Sequence, residues 1–573
     1  MGEPNEQSHS QNSENGVQDQ SPGVWRSFLT IAACTLTMIS NSVNNTSVSI
    51  ALPSIERGLR MGPADLQWVV SGYALSSGCL LLLFGRLADL HGRKKAFLAG
   101  SMWLVAFTLS CGFAKGQKSG FVVVSASEPS LDRQTLNVLR GLQGAGAAAT
   151  IPAAIGILAH SFPPHGKTRA IAFASFGAGA PVGAAFGTAI GGVLTQFTST
   201  RWRSTFYFSA ALSFASAVLG ALAFEIDKPS TETDKRVDWI GASLVTSGLI
   251  LVVFVLSQGE VAPGRWKTPY IVVFLILGLL LLATFIYWEH RLETLRKHNK
   301  TSWLPTPPPI MPLSLWARAK GRVAVVMCIA CCLWASFLGW NYWILLYYQD
   351  LARLSALATV VRLVPMFVTG ILCNVFVALV VGRLPLVYLM GFGTTVTSVA
   401  SLLFALIKPE APYWAYGFPA AILSVFGADF VFTAGTMFIA KISLPHEQSV
   451  AGGVLQCMMQ LGTSLGITVS TVVFDHVRIR VYHEPPPRPG HGPHKAAPLG
   501  AYHAAMWTTF AFGAVASLLA IVFLRGVGVV GQKPDRRQSD DTEAKTSSDP
   551  QSSELRREAD SEKLPKQDGL QRP

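Results

Sequence analysis

The chain has 573 residues, of which 50% are hydrophobic and only 14% are charged, and its mean hydropathy is +0.38. Soluble proteins carry about 25% charged residues, so this balance excludes an ordinary soluble multidomain chain. The net charge of +13 does not indicate a nucleic-acid partner, because membrane proteins use Lys and Arg to anchor their cytoplasmic loops. The sequence therefore predicts an all-α integral membrane protein that binds no nucleic acid.

Apolar runs of about 20 residues, the length that crosses a bilayer core, recur along the whole chain. We predict fourteen spans in the order six, two and six. They lie at about 27–53, 66–84, 96–114, 136–160, 169–195, 204–224, 239–257, 269–288, 322–347, 362–382, 385–407, 413–439, 449–474 and 502–524.

These spans and the polar stretches between them divide the chain into six parts. Residues 1–25 and 527–573 are polar tails that we expect to be disordered. The parts between the tails are a first six-helix half, two extra helices, a cytoplasmic loop and a second six-helix half, at 26–225, 226–288, 289–321 and 322–526.

The distribution of basic residues predicts the orientation of the chain. An even number of spans puts both tails on one side, and bases follow spans two, four, six and eight. The positive-inside rule then places both tails in the cytoplasm. We expect a multi-pass protein of the plasma membrane, with a vacuolar or other internal membrane as the alternative.

The stretch Gly85–Lys95 joins spans two and three and contains one acid, four bases and two glycines. Such a polar segment cannot lie in hydrocarbon, so it marks a tight loop at a membrane surface. Within it, Gly85-x-Leu87-Ala88-Asp89-x-x-Gly92-Arg93-Lys94 resembles the loop signature of the major facilitator superfamily. Gly85 and Gly92 allow a sharp turn and a close approach of helices.

Asp89 stands at the end of span two, where it can face the positive N-terminus of a helix from the other half. The helix that starts near Gln448–Ser449 would suit, and the resemblance implies this contact. We therefore predict a conformational latch that closes the cytoplasmic side and breaks on opening. The alternative is a surface turn in which Arg93 and Lys94 only snorkel to the lipid headgroups.

Two ionisable residues lie inside predicted spans. Asp429 lies over halfway along span twelve, and its apolar setting favours the protonated form, so it is a candidate proton carrier. The alternative is a structural pair with a base from another span. Arg140 lies in span four, where an unpaired arginine costs several kcal/mol, and the family pattern assigns this position to proton coupling or substrate charge. Its alternative is a side chain that reaches the outer interface.

Span five contains a stripe of glycines spaced four apart, which places them on one helix face for close packing. The stripe and the glycine that follows it are Gly179, Gly183, Gly187, Gly191 and Gly192. The pattern resembles an antiporter signature, although Thr188 stands where that signature has proline. The spacing alone supports only a helix interface.

Five polar or aromatic side chains are candidates for lining a substrate cavity. They are Asn44, Tyr73, Gln143, Gln456 and Gln460. Gln456 and Gln460 are four residues apart and share one helix face. Asn44 occupies a position where the related transporters usually have Asp, so it cannot titrate. An interhelical hydrogen bond is an equally good interpretation of Asn44.

Together these motifs resemble the fourteen-span drug:proton antiporter branch of the superfamily, and Gly427-Ala428-Asp429 is similar to a motif of fungal aminotriazole- and boron-resistance exporters. The resemblance implies a secondary active exporter that works by alternating access in the lipid bilayer, needs no cofactor and acts as a monomer. Its small-molecule substrate would be an amphipathic drug, toxin, secondary metabolite or glycolipid, exchanged for protons.

Three alternatives remain open at this point. A uniporter or importer of a small polar solute would share the fold, and a non-transporting receptor or sensor would show no flux. An enzyme would need clustered catalytic groups, which the sequence does not contain, and no cofactor is expected. No metal site is expected either, because Cys328, Cys331 and Cys332 lie in one hydrophobic helix without nearby His and are interpreted as packing residues.

Overall fold

The structure is a computed structural model, and its regular elements are helices that follow the apolar runs of the sequence. The residues that it describes are 23–59, 63–113, 129–162, 167–227, 236–259, 262, 264–297, 307–354, 356–380, 383–408, 410–444, 447–480 and 498–525. The two tails that we expected to be disordered lie almost entirely outside these described residues.

Within the described residues, the first half and the two extra helices contain nine α-helices. They are α1 (Val24–Leu59), α2 (Pro63–Cys79), α3 (Leu81–His91), α4 (Arg93–Phe113), α5 (Pro129–Ser161), α6 (Lys167–Phe197), α7 (Arg203–Ala223), α8 (Trp239–Gln258) and α9 (Pro269–Lys297).

The rest of the described chain contains one short and six long helices. They are α10 (Ser314–Ala317), α11 (Arg322–Leu346), α12 (Ala356–Val380), α13 (Leu386–Ala405), α14 (Tyr413–Ile442), α15 (Gln448–Arg480) and α16 (Leu499–Phe523).

Local sequence explains several helix ends. Pro63, Pro129 and Pro269 each occupy the first position of a helix, where a missing N–H costs nothing. Asp238 caps α8 by accepting a 2.9 Å hydrogen bond from the Gly241 N–H.

The turn predicted at Gly85–Lys95 is shorter than the sequence suggested. Helix α3 continues through Asp89 to His91, and α4 begins at Arg93, so Gly92 alone separates them. Gly92 has a φ of 113°, which side chains with a Cβ rarely adopt. The polar residues of this stretch are therefore held on helices, and Asp89 has a fixed position.

The predicted all-helical membrane fold is confirmed, but its span count is not. Among the described residues, twelve helices have the length and hydropathy to cross a membrane, and a bent pair formed by α2 and α3, with an angle of 46°, gives a thirteenth. Helix α1 has 36 residues and is long enough, but Asn41, Asn44 and Asn45 lower its hydropathy. Fourteen spans stay a prediction.

The helices pack as two groups that meet along a few contacts. In the first group α1 packs on α6 and α7, while α4 packs on α5 and α7. In the second, α13 packs on α14 and α16, and α11 packs on α15 and α16. The groups touch where α3 and α5 meet α15 and where α6 meets α12 and α14. Helix α8 contacts α2 and α15, so it lies beside the seam between the groups.

The segment between α9 and α11, which we predicted as loop 289–321, is anchored at both ends. Helix α9 extends into it, and there the buried Glu289 accepts a hydrogen bond of 3.2 Å from the Ile310 N–H. At its other end Arg318 pairs with Glu447, the residue before α15. We call residues 307–318 the linker.

Candidate functional site

Asp89 joins the two groups of helices at one end of the bundle, which we call the Asp89 end. Its Oδ2 accepts two backbone hydrogen bonds of 3.0 Å, from the N–H groups of Ser449 and Val450 in the first turn of α15. The first N–H groups of a helix lack partners in their own helix and carry partial positive charge. The carboxylate of the first group therefore caps a helix of the second.

Close backbone packing surrounds this contact. A Cβ on Gly85 would lie 3.1 Å from the Ser449 carbonyl oxygen, and one on Gly453 would lie 3.0 Å from the Leu81 carbonyl oxygen. Because the neighbouring atoms are backbone, a side chain at either position would separate α3 from α15. The structure therefore has the Asp89 end closed; that Asp89 acts as a moving latch stays a prediction.

Arg93 and Lys94 do more than face solvent. Arg93 pairs with Asp89 at 2.9 Å and donates a 3.3 Å hydrogen bond to the Gly156 carbonyl of α5. Lys94 donates through Nζ to the carbonyl oxygens of Ala221 and Phe224 at the end of α7, at 3.0 and 2.7 Å. Both bases thus tie the turn to the rest of the first group.

A second carboxylate caps the other helix at this turn. Asp227 accepts hydrogen bonds from the Lys94 and Lys95 N–H groups at 2.9 and 3.1 Å, in the first turn of α4. It resembles the Asp89 contact chemically, but both of its partners belong to the first group. Asp227 was not predicted as a site residue.

Arg140 is fully buried at the centre of a polar network in the first group. Its Nε donates to the Val69 carbonyl at 2.7 Å and its Nη1 donates to Gln143 Oε1 at 2.6 Å. The guanidinium carbon also lies 4.6 Å from the centre of the Tyr73 ring, a cation–π arrangement. Nη2 has no hydrogen-bond partner, and no carboxylate pairs with Arg140 in the described part of the chain.

Gln143 connects the Arg140 network to two further helices, α1 and α4. Its Nε2 donates to Asn44 Oδ1 at 2.8 Å and to Thr108 Oγ1 at 2.7 Å. The Asn44 amide nitrogen in turn donates to the Ser40 carbonyl at 3.1 Å. Asn44 and Gln143 therefore use their polar groups on protein partners and are 0% exposed. In this conformation they connect α1, α4 and α5 rather than line a cavity.

Asp429 lies elsewhere, where α14 of the second group meets α12 and α6. Asn374 of α12 lies beside its carboxylate, whose Oδ2 is buried and has no hydrogen-bond partner among the described residues. A Cβ on Gly370 would lie 3.3 Å from that Oδ2 and 2.9 Å from Cβ of Pro181 on α6. No base pairs with Asp429 among the described residues. The structure thus does not bring Asp429 and Arg140 into one cluster.

A polar patch continues from Asp429 along the same seam. Thr433 donates to Asn374 Oδ1 at 3.3 Å, and a Cβ on Gly177 of α6 would lie 2.8 Å from that same oxygen and from Thr433 Oγ1. The absence of a side chain at Gly177 therefore lets α6 reach the polar atoms of the second group. Asp429 sits at a place where relative movement of the two groups would change its surroundings.

A cavity of about 350 Å³ lies between α2, α8 and α15. Of the five predicted cavity residues, Gln460 lines it. Gln456 does not, although its buried Oε1 lacks a hydrogen-bond partner in the described structure. Tyr73 faces away, because its hydroxyl donates to Asn41 Oδ1 at 3.2 Å on α1. The Arg140 network and this cavity therefore lie on different faces of α2.

The glycine stripe of α6 packs against α1. A Cβ on Gly179 would lie 2.9 Å from the Thr35 carbonyl oxygen, and one on Gly183 would lie 2.6 Å from the Ile39 carbonyl oxygen. Gly187 and Gly191 meet Val43 and Ser47 in the same way, at 2.9 and 2.8 Å from their Cα atoms. Gly192 differs, since its nearest neighbour there is Cγ2 of Ile50 at 3.8 Å, an ordinary contact.

Sequence reasoning missed three polar side chains that bond to the predicted residues or lie next to them: Thr108, Asn374 and Thr433. Each is a hydrogen-bonding side chain inside an apolar span, and Asn374 could have been noticed, because an amide in mid-span needs a partner. Thr108 and Thr433 carried no such signal, since threonine in a membrane helix commonly bonds to its own backbone.

Comparisons with known proteins agree with this architecture. A sequence model described as Major Facilitator Superfamily matches residues 34–259 and 240–467. The chain is 28% identical over 472 residues to the efflux pump terG of Aspergillus terreus, covering 81% of this chain and 80% of that protein. It is 27% identical over 477 residues to the low affinity ammonium transporter of Saccharomyces cerevisiae, covering 81% of this chain and 85% of that protein.

The fold is also found among solved structures. The proton:xylose symporter XylE, bound to 6-bromo-6-deoxy-D-glucose, superposes with a TM-score of 0.57 at 12% identity. The match covers 88% of this chain and 98% of that protein. At this identity the likeness concerns the fold alone.

Proposed function

Because the chain belongs to the major facilitator superfamily, we propose that it exports a small amphipathic organic compound in exchange for protons. It is a multi-pass membrane transporter and not an enzyme. The direction, the coupling ion and the substrate class are parts of the proposal, and so is its action as a monomer. The likeness to the efflux pump terG supports export.

The observation that carries proton exchange is the carboxylate of Asp429. It is buried, has no paired base in the described structure, and leaves Oδ2 without a partner. A buried unpaired charge is costly, and a carboxyl group removes that cost by taking up a proton. Its position where α14 meets α6 and α12 links that proton to the seam between the groups.

Arg140 has a different part in this proposal. A guanidinium does not release its proton in a protein, and hydrogen bonds to Val69 and Gln143 hold this one in place. Arg140 is therefore a fixed charge that shapes the first group, and Asp429 is the group that titrates during transport.

In this proposal, alternating access uses two of the places where the groups meet, one at Asp89 and one at Asp429. In the proposed orientation the Asp89 end faces the cytoplasm, in the plasma membrane or an internal one, and is closed by the cap on α15. Opening it breaks the two hydrogen bonds to Asp89 and rearranges the seam at Asp429. Protonation of Asp429 would thereby bias the equilibrium between the two states, as coupling requires.

The test has two steps. Cells with and without the chain are first challenged with a panel of drugs, toxins and secondary metabolites to find an exported compound. That compound is then loaded with the purified protein into liposomes, and its flux is measured with and without an imposed pH gradient. We expect the gradient to drive flux by the wild type. Asp429→Asn should remain folded in the membrane but lose gradient-driven flux.

Asp429→Glu is the matched control, because it keeps a carboxyl group at the seam and should retain part of the coupled flux. Normal proton-driven flux by Asp429→Asn would refute the assignment of Asp429. Flux of the wild type that ignores the pH gradient would instead indicate a uniporter.

A further inference from the structure

The cavity between α2, α8 and α15 has a wall made by one of the two extra helices. Leu249, Val253 and Leu256 of α8 line one side. Val70, Ala74 and Gly78 of α2 line another, and residues between Cys457 and Thr471 of α15 line a third. The cavity therefore lies on the seam between the two groups, with an extra helix closing its flank.

Two contacts hold α8 in this place. Thr468 of α15 donates a 2.8 Å hydrogen bond to the Leu256 carbonyl of α8. The ring of Trp68 on α2 lies 5.5 Å from that of Phe254 on α8. Contacts to both groups thus fix the helix from either side of the cavity.

A salt bridge secures the end of the extra pair next to the cavity. Arg265, in the connection between α8 and α9, pairs with Asp475 of α15 at 3.1 Å. These contacts fix α8 as one wall of the cavity, so the helix is more than a spacer between the halves.

The lining has no charged side chain among its described residues. Its polar groups are neutral and include Gln460 and Ser464, which are four residues apart on α15 and so share one face. Neither side chain has a hydrogen-bond partner in the described structure, and both are partly exposed. They are free to contact the polar group of a ligand, while the apolar walls would contact the remainder.

We propose that this cavity binds an uncharged, mainly apolar compound, with Gln460 and Ser464 holding its polar group and α8 forming a wall of the site. A charged ligand would enter without a counter-charge, which is costly in a low-dielectric site. The inference rests on the proposed export function in taking this ligand to be the transported compound. Binding is therefore measured separately from transport.

The experiment follows Nile red, an uncharged dye, titrated into the full chain in lipid nanodiscs, with empty nanodiscs as background. Wild type should show saturable fluorescence, and ethidium, a cationic dye, should show none. Val253→Trp fills the cavity from α8 and should weaken Nile red binding about tenfold or more. Ser247→Trp, which places the same indole ring on an exposed face of α8, should change the affinity by less than about twofold. Gln460→Leu should weaken binding while keeping the size of the side chain.

Several results would overturn the inference. They are the absence of saturable Nile red binding to the wild type, equal binding by Val253→Trp, and displacement of Nile red by ethidium. Displacement by phospholipid that copurifies with the chain would make the cavity a lipid site. Export of a compound without dye binding would refute the proposed binding site in the cavity but not the proposed export function. Dye binding without any export would refute the proposed export function but not the proposed binding site in the cavity.

Discussion

Replacing Asp89 by Asn should shift the protein towards a state that is open at the Asp89 end. The carboxylate accepts two hydrogen bonds from α15. A hydrogen bond to a charged group contributes about 1.5–3 kcal/mol and a neutral one about 0.5–1.5 kcal/mol. Asn keeps an accepting oxygen and loses the charge, so the two bonds together weaken by about 2 kcal/mol. Because about 1.4 kcal/mol is a factor of ten, the ratio of closed to open protein falls about 25-fold.

The pair between Asp89 and Arg93 does not enter this difference, since both residues belong to the first group and stay together when the groups separate. The assay is the rate at which a maleimide labels the Ile155→Cys variant in a background without the native cysteines. Ile155 is 2% exposed and faces Gly452 across the seam. If the open state is the minor one, the rate is proportional to its population and rises about 25-fold in Asp89→Asn.

Asp227→Asn is the matched control for this experiment. It also loses a charge that accepts two backbone N–H bonds, but within the first group. It should leave the labelling rate of the Ile155→Cys thiol close to that of the parent. The reasoning is refuted if Asp89→Asn leaves the rate unchanged, or if Asp227→Asn raises it equally.

Two further variants test packing and the buried network. Gly183→Ala should lower the unfolding temperature in detergent, because its Cβ would lie 2.6 Å from a backbone oxygen and overpacking costs about 1–3 kcal/mol. The control Gly192→Ala has room for its Cβ and should leave the unfolding temperature unchanged. Equal effects of the two variants would contradict the packing described for the glycine stripe. Arg140→Lys should also lower the unfolding temperature, since one ammonium cannot reproduce the guanidinium fork to Val69 and Gln143, with a loss of about 1.5–3 kcal/mol. An unchanged unfolding temperature would show that the network contributes little.

Much of the helical pattern could be predicted from the sequence, because a membrane helix is marked by a long apolar run and little else. The predicted span at 239–257 and the helix Trp239–Gln258 show how closely hydropathy fixes such ends. Helix α3 escaped this reasoning. Its polar residues were interpreted as a loop, although a helix can carry them once it leaves the hydrocarbon.

The partner of a site residue could be predicted only where the residue type pointed to one kind of partner. Asp89 could be matched to the start of α15 because the family resemblance implies that contact, and a helix N-terminus offers unpaired N–H groups to a carboxylate. Asn44 and Gln143 could not be placed, because an amide serves a cavity or a neighbouring helix equally well. Only the packing of the helices reveals that the Gln143 amide donates a hydrogen bond to the Asn44 amide oxygen. The cavity depends on α8 lying beside the seam, and no local pattern encodes that position.

The anchoring of the linker has a consequence for the first turn of α15. Glu447 lies just before the N–H groups of Ser449 and Val450 that Asp89 binds. It pairs with Arg318, and its Oε1 also accepts a 3.1 Å hydrogen bond from the Leu444 N–H. In the proposed closing movement the linker already holds this turn when Asp89 reaches it, so less conformational entropy remains to be lost on closing. We therefore expect that loosening the linker would make the proposed closing at Asp89 less favourable.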